Sequence, residues 1–596
     1  MSLSFQKAPI SLRATCSLLL LLILLYSCQR EITGEVIIPG GSGGGNTPPA
    51  TVITTIKLLV LDENGNIVTN AKVQSGTTTV YTDQFGIAEL KDIRVTANKA
   101  LVKVNVAGYF EAYRTFSADS HVCFGKIKLT KLGLANVMMS DAGGDILVTN
   151  ECTIQFPANA FVVKSDNSPY TGAVVVYAQY LQPENNDFEI LMPGDLVAED
   201  NGDQLLKSFG MVNVEILGTG NVPLQLKSGV KATLKATIPT SLAADAPATI
   251  PMWYFDTNKG VWIKEGNATK QGNQYSGQVS HFTWWNYDWA YPRVFISGIV
   301  KDVNGRPIVN SMVKMSVTQF RVTITTYTNE EGYFRVPAPL NAAVSLSMTG
   351  TGCNIPFFTT TVTTNSSDIN LGTITVPVLT VSNYQVSGNF NNCNNAPIPS
   401  GRLRIFTFNN MFESIITNGQ SGLTFTFCSD SLDALVLVED FSTGKIFTQS
   451  KRMYHNVPVN LGTLTVCTSM STKYIRYIVD NQFYYITGNN VDSLTSHYFG
   501  FGVPWVQVAH NNYAFPPQLP SDIYFNAEIG GYVSTMMIKA YPNLSNMGYD
   551  RELSNRFENY SNVPGAINKG TLTGRQFDTG VNRWRFISVA YSVGQQ

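Results

Sequence analysis

Two stretches of this chain repeat each other at a fixed spacing, and that repetition constrains the fold more than any other feature. Gly298, Pro307, Ile308 and Val313 recur as Gly388, Pro397, Ile398 and Leu403. The segment Ile369-Asn370-Leu371-Gly372-Thr373-Ile374-Thr375-Val376 recurs as Val459-Asn460-Leu461-Gly462-Thr463-Leu464-Thr465-Val466. Both ends shift by the same 90 residues, so two tandem modules of one length follow. A shorter copy begins near Ile56. There Asp62-Glu63-Asn64-Gly65 matches Asp302-Val303-Asn304-Gly305, and Thr82-Asp83-Gln84-Phe85-Gly86 matches Thr328-Asn329-Glu330-Glu331-Gly332. These read as hairpin turns in which Asn-Gly supplies the positive φ of a tight two-residue turn. Alternating residues such as Ile56, Leu58 and Val60 then face one core.

Val, Thr, Ile, Tyr and Phe dominate short segments punctuated by Gly, Asn and Pro, which predicts an all-β chain. No amphipathic helix of useful length stands out. The 596 residues predict about four domains. Only 14% of residues are charged and the formal net charge is -1, so the chain carries no long-range field. Nucleic-acid binding is disfavoured, because phosphate contacts need clustered Lys and Arg.

At the repeated residues the three copies resemble the carboxypeptidase regulatory-like, or prealbumin-like, β-sandwich of about seven strands. The resemblance covers 53–133, 293–377 and 380–467. The third copy departs from it where Asn391-Asn392-Cys393-Asn394-Asn395 replaces the Asp and Gly of the first turn. In carboxypeptidases this module is the non-catalytic appendage, so the resemblance implies a spacer and no activity. None of His121, His281, His455, His497 or His510 has Glu three residues on.

Residues 134–290 form a larger β module of different pattern. Ile154-Gln155-Phe156-Pro157-Ala158-Asn159-Ala160-Phe161, Met192-Pro193-Gly194-Asp195-Leu196, and Trp253-Tyr254-Phe255 facing Trp262 across a turn from Asp256 to Gly260 resemble the extracellular module of cartilage intermediate layer proteins. More distantly the segment is similar to the β-rich module of ankyrins and netrin receptors. Glu199-Asp200-Asn201-Gly202-Asp203 lacks the alternate ligands and terminal Glu of a calcium loop and reads as a solvated hairpin turn. Ser280-His281-Phe282-Thr283 resembles the cleavage site of autoprocessing modules. That resemblance implies Thr283 as nucleophile and His281 as base, with strain at the Phe282–Thr283 bond. The alternative is a final core strand with Phe282, Trp284 and Trp285 packed inside.

The N-terminus reads as a secretory signal over 1–27: Lys7 and Arg13 without an acidic residue, then an apolar run from Leu18 to Tyr26, too short to span a bilayer. Leu25-Tyr26-Ser27-Cys28 resembles the lipobox of bacterial lipoproteins. The resemblance implies that Cys28 becomes the diacylated first residue of the mature protein. Gln29 in place of Asp favours the outer membrane, and Gln29-Arg30-Glu31 is similar to signals for surface display. Residues 28–52, rich in Gly, Ser and Pro, read as a flexible tether. Gly40-Gly41-Ser42-Gly43-Gly44 fits a nucleophile-elbow formula, but it sits in that tether without the strand and helix such an elbow needs.

Six cysteines remain in the mature chain: Cys123, Cys152, Cys353, Cys393, Cys428 and Cys467. An oxidising compartment favours disulfides among them. Cys393 and Cys428 fall in one module, one in a turn and one at a strand end, and are expected to pair. Such a bond stabilises by roughly 3–4 kcal/mol on the chain-entropy model. No Cys-x-x-Cys or Cys/His spacing points to a metal, and no motif points to a cofactor. Residues 468–596 form a C-terminal β domain with strands expected at Tyr474 to Val479, Phe483 to Thr487 and Trp584 to Val589. Its loop candidates carry Tyr498, Phe499, Phe501, Trp505, Tyr513 and Phe515, which can stack on sugar rings or dock a protein.

The expectation is therefore a lipid-anchored outer-membrane or cell-surface protein acting as a structural, adhesive or ligand-binding multi-module stalk, and not an enzyme. Its partners are the membrane through Cys28 and a polysaccharide or another surface protein. A glycan-binding accessory lipoprotein and a self-cleaving or hydrolytic enzyme are the alternatives.

Overall fold

The computed structural model describes residues 49–596, apart from residue 201, segments 319–321, 377–382, 408–409, 470–472, 480–481, 488–493, residue 502, segments 511–522, 529–532, 539–553, 560–566, 579–582 and residue 596. Beyond 474 the description is of backbone, with a few side chains. The chain is all-β and built of several modules, and among the described residues the one α-helix is the four-residue Phe188–Leu191.

All three repeats share one topology. In the first, the strand Thr51–Leu61 lies between Ile87–Thr96, antiparallel, and Cys123–Lys128, parallel. A second sheet orders Thr78–Tyr81, Lys72–Ser75, Ala100–Asn105 and Ala112–Phe116. The second repeat sets the end of Trp284–Asp302 between Tyr333–Pro339 and Ile369–Val376, and the third sets Asn383–Asn392 between Gln420–Thr426 and Val459–Val466. Seven strands in two layers close over an apolar core that in the first repeat includes Ile56, Leu58, Val60, Val102 and Val104.

The repeated motifs have local causes. In each repeat the side chain of one residue pins the first turn: Asp62 Oδ1 accepts the N–H groups of Asn64 and Asn66, Asp302 Oδ1 those of Asn304 and Arg306, and Asn392 Oδ1 those of Asn394 and Ala396. The turn is longer than a two-residue Asn-Gly hairpin, because the pivot N–H bonds the carbonyl four residues on. The third copy keeps the turn with other residues. Asn392 replaces Asp as the pivot and Asn395, at φ 58°, takes the place of Gly65 and Gly305.

The Asn-Leu-Gly-Thr repeat is a β-bulge. Asn370 and Asn460 accept the N–H of Gly372 and Gly462 at 2.8 and 2.9 Å, these glycines sit at φ 66° and 71°, and the ladder to the neighbouring strand shifts there in both copies.

The expected boundary at 290/293 falls inside one continuous strand. Trp284–Asp302 runs 19 residues, pairing first with Asp203–Gly218 and Thr249–Asp256 of the larger module and then with the second sandwich. Trp253, Leu206 and Met192 of the larger module share an apolar core with Ile296, Val313 and Leu346 of the second sandwich. The hairpin expected around Trp253 and Trp262 is present, with Phe255 opposite Trp262 and Gly260 N–H bonded to Asp256 O. In the C-terminal domain the expected strands appear as Tyr474–Val479, Gln482–Thr487 and Arg583–Gln595. Among the described residues, no helix is long and apolar enough to cross a membrane.

Candidate functional site at the module junctions

From Ile56 onward the strand Thr51–Leu61 is buried on both faces, which explains its unbroken run Leu58-Leu59-Val60-Leu61. Its even residues enter the first sandwich, and Lys57, Leu59 and Leu61 face outward against the third. Leu59, Leu61, Phe85, Ile87 and Phe124 there meet Phe406, Met411, Leu435 and Leu437, with Phe85 stacked on Phe406 at 4.0 Å. The strand Ser400–Thr407 is built likewise: Leu403 and Ile405 fill its own core while Arg402, Arg404 and Phe406 face the junction.

Charges close this interface. Lys57 Nζ is 2.9 Å from Glu330 and also bonds Glu413, all three side chains being about 5% exposed or less. One lysine of the first sandwich thus joins a carboxylate of the second to a carboxylate of the third. Arg402 bridges Glu89 at 2.7 Å and Glu439 at 2.6 Å, and Arg404 pairs with Glu413. Burial opposes every one of these charges. For Glu413 it is outweighed by Arg404, Lys57 and Arg402, which hold the carboxyl well below the usual range. For Lys57 burial is outweighed by Glu413 and Glu330, which raise the ammonium. For Glu330 burial and the nearby Glu413 outweigh Lys57 and a backbone hydrogen bond, and the carboxyl is pushed up. Such a cluster adds little net stability over an apolar contact, but losing one partner costs about 3–5 kcal/mol. It therefore fixes how the modules meet.

The second and third sandwiches are joined by backbone and by a disulfide. Val309 N–H bonds Thr424 O, Thr424 N–H bonds Pro307 O, and Thr424 Oγ1 donates to Asp302 at 2.8 Å. Cys353 bonds Cys428 and Cys393 bonds Cys467, with Cα separations of 5.1 and 5.0 Å. The expected Cys393–Cys428 pair is thus corrected: each of these cysteines has a different partner. The reason lies in the register. Asn392 pairs with Val466 in the parallel ladder, so Cys393 and Cys467 sit side by side one step on. Cys428 follows the strand that lies against the loop after Ala343–Thr349, where Thr351 N–H bonds Thr426 O. Cys123 and Cys152 are free, and burial pushes both thiols up to about 12.

Beside these closed contacts lies an open cleft of about 400 Å³ between the larger module and the second sandwich. Glu189, Lys207, Lys314 and Thr325 line it together with Leu206 and Met312. Glu189 sits on the short helix and accepts a hydrogen bond from Thr325. Burial pushes its carboxyl up to about 7, against Arg114 and Lys314. The cleft combines hydroxyl, amide, ammonium and carboxyl groups with apolar side chains such as Leu206 and Met312, the chemistry that holds a small polar ligand. Sequence reasoning missed it because its walls lie more than 100 residues apart in the chain.

His281 and Thr283 lie in a bend before the strand Trp284–Asp302. His281 Nε2 is 3.5 Å from Glu265, its ring packs on Tyr254 and Trp285, and Thr283 Oγ1 donates to Trp284 O at 3.2 Å. The hydroxyl is therefore engaged on the far side of the bond it would have to cleave. In the acidic turn, Lys99 pairs with Glu199 and Asp203, and Lys264 with Asp200. No group of residues suited to a metal occurs among the described residues. Tyr498, Phe499 and Phe501 lie on the strand Leu494–Phe501 and Trp505 on Val503–His510, so these four are strand residues rather than loop residues. Tyr513, Phe515 and Cys28 lie outside the described residues.

No family model matches the chain, and no curated protein matches it. Among solved structures it is similar to the Bacillus anthracis TIE protein, at 8% identity over 70% of this chain and 50% of that one, with a TM-score of 0.14. It is similar also to BcpA, the major pilin subunit of Bacillus cereus, at 9% identity over 55% of this chain and 99% of that one, with a TM-score of 0.12. The shaft pilin spaA of Lactobacillus rhamnosus GG gives 10% identity over 30% of this chain and 98% of that one, with a TM-score of 0.14. The chain spans half the length of the first of these. Likenesses this slight carry no argument about function.

Proposed function

We propose that this chain is a lipid-anchored protein of the bacterial outer membrane, facing the cell surface, whose sandwich modules serve as a structural and adhesive stalk. The observation that supports this reading is the meeting of Lys57, Glu330 and Glu413, where three modules distant in sequence close on one buried charge cluster. Contacts of that kind suit a body that keeps its modules in fixed relation. The anchor is Cys28, and the tether lets the body stand off the lipid. Replacing Cys28 with Ala releases the protein from the outer-membrane fraction; a variant that partitions unchanged refutes the anchor.

A second reading, a glycan-binding accessory role, is favoured by the open cleft beside Glu189. Retention on a polysaccharide array, lost on Lys314→Ala, distinguishes it from a purely structural role. The chain is proposed not to cleave itself. Denatured wild-type protein then migrates whole, and two fragments dividing at Phe282–Thr283, abolished by Thr283→Ala, refute that.

A further inference from the structure

Three lysines of the described residues are buried: Lys57, Lys126 and Lys207. Lys57 faces two glutamates, and Lys207 faces Asp245 at 3.0 Å. Lys126 faces a carboxamide instead. Its Nζ lies 2.6 Å from Asn410 Oδ1 and 4.8 Å from the centre of the Tyr327 ring. Lys126 belongs to the strand Cys123–Lys128 of the first sandwich and Asn410 to Asn410–Thr417 of the third. Both are buried, at 7% and 5% exposure, beside the apolar contact formed by Phe124 and Met411.

A buried ammonium without a counter-charge costs several kcal/mol, so the site favours the neutral amine. Burial alone brings Lys126 down to about 7. A desolvated neutral lysine is a nucleophile. The carboxamide carbon is one bond beyond the oxygen that already holds the amine, and the two modules are fixed against each other by the Lys57–Glu413 and Arg402–Glu89 contacts. Positioning of this kind replaces a bimolecular encounter by an intramolecular one.

We propose that Lys126 and Asn410 are the two halves of an intramolecular amide cross-link between the first and third sandwiches. The Nζ lone pair attacks Cγ of Asn410 and a C–N bond forms. The Cγ–Nδ2 bond breaks, one proton passes from Nζ to Nδ2, and ammonia leaves. No electrons are gained or lost and no co-reactant is needed. The product carries no charge, so burial no longer opposes the side chain at this position. The new bond closes a covalent ring over residues 126–410 that holds the larger module and the second sandwich, so a pull on the chain ends passes through the bond and bypasses them.

The test is the mass of the full chain after reduction and denaturation. The wild-type protein is expected lighter by one ammonia than its mature sequence with the lipid on Cys28, with a branched tryptic peptide joining Lys126 to Asn410 and no cleavage after Lys126. Asn410→Ala is expected to restore both the mass and the cleavage. A wild-type chain of full mass that is cut after Lys126 overturns the proposal. So does an ammonia loss without the branched peptide, which places it at another residue. The decisive reading is on the wild type and does not depend on how any variant folds.

Discussion

The junction of the first and third sandwiches and the cleft beside Glu189 bury charge in opposite ways. At the junction three basic side chains meet carboxylates within a closed apolar rim, and Glu413 stays ionised because Arg404, Lys57 and Arg402 outweigh its burial. At the cleft, burial of Glu189 prevails over Arg114 and Lys314, and its carboxyl holds a proton up to about 7. A carboxylate surrounded by cations acts as a fixed link. One that keeps its proton inside an opening remains available to a ligand.

The sharpest way to break this comparison is Glu413→Ala, which leaves Lys57 and Arg404 buried with too little counter-charge. A loss of about 3–5 kcal/mol is expected in denaturant unfolding. A loss under about 1 kcal/mol would mean that the cluster does not set the junction. Next comes the covalent link between the second and third sandwiches. Cys353→Ser with Cys428→Ser is expected to cost about 2–4 kcal/mol, since their bond closes a long loop. The measurement is the thermal midpoint with and without reductant, and reductant should shift the variant less than the wild type.

The smallest effect is expected at the cleft. Near pH 4, where Glu189 is protonated in the folded state and largely so in the unfolded one, Glu189→Gln should change stability by less than about 0.5 kcal/mol, and the variant should gain on the wild type as pH rises toward 7. Its signature is in the pH profile. Glu189 has a folded pKa raised from 4.5 to about 7, so it costs stability above that value, and the cost is relieved as pH falls through it. Glu413 has a lowered folded pKa, so its contribution is present above the ordinary Glu range and is lost as pH falls through the folded value. Thermal midpoints between pH 4.5 and 7 should therefore rise less on acidification in Glu189→Gln than in the wild type. An unchanged slope would remove the distinction between the two sites.

Much of the fold was legible in the chain. The spacing of Gly298 and Gly388, and of Gly372 and Gly462, located two sandwiches of one design, since a bulge glycine and the strand opposite it must move together. The Trp253 hairpin was legible in the turn from Asp256 to Gly260 between two Trp-bearing segments, and the C-terminal strands in β-like segments between turn-rich stretches. The site was less legible. Arg402 and Arg404, alternating with Leu403 and Ile405, signal a strand whose second face is also covered, but nothing local names the covering partner. The cysteine pairing was in principle within reach, because the 90-residue repeat sets the parallel register that brings Cys393 to Cys467.

By itself the sequence determined what nearest neighbours decide: turns pinned by Asp62, Asp302 and Asn392, bulges at Gly372 and Gly462, and the alternation that gives each sandwich its core. Only the tertiary structure decided that Lys57 meets Glu330 and Glu413, that Trp284–Asp302 serves two modules, and that Lys126 faces Asn410. The physical reason is range. A turn or a strand face is fixed by residues a few positions apart, whereas a buried charge is satisfied by whichever partner the packing of separate modules delivers, hundreds of residues away.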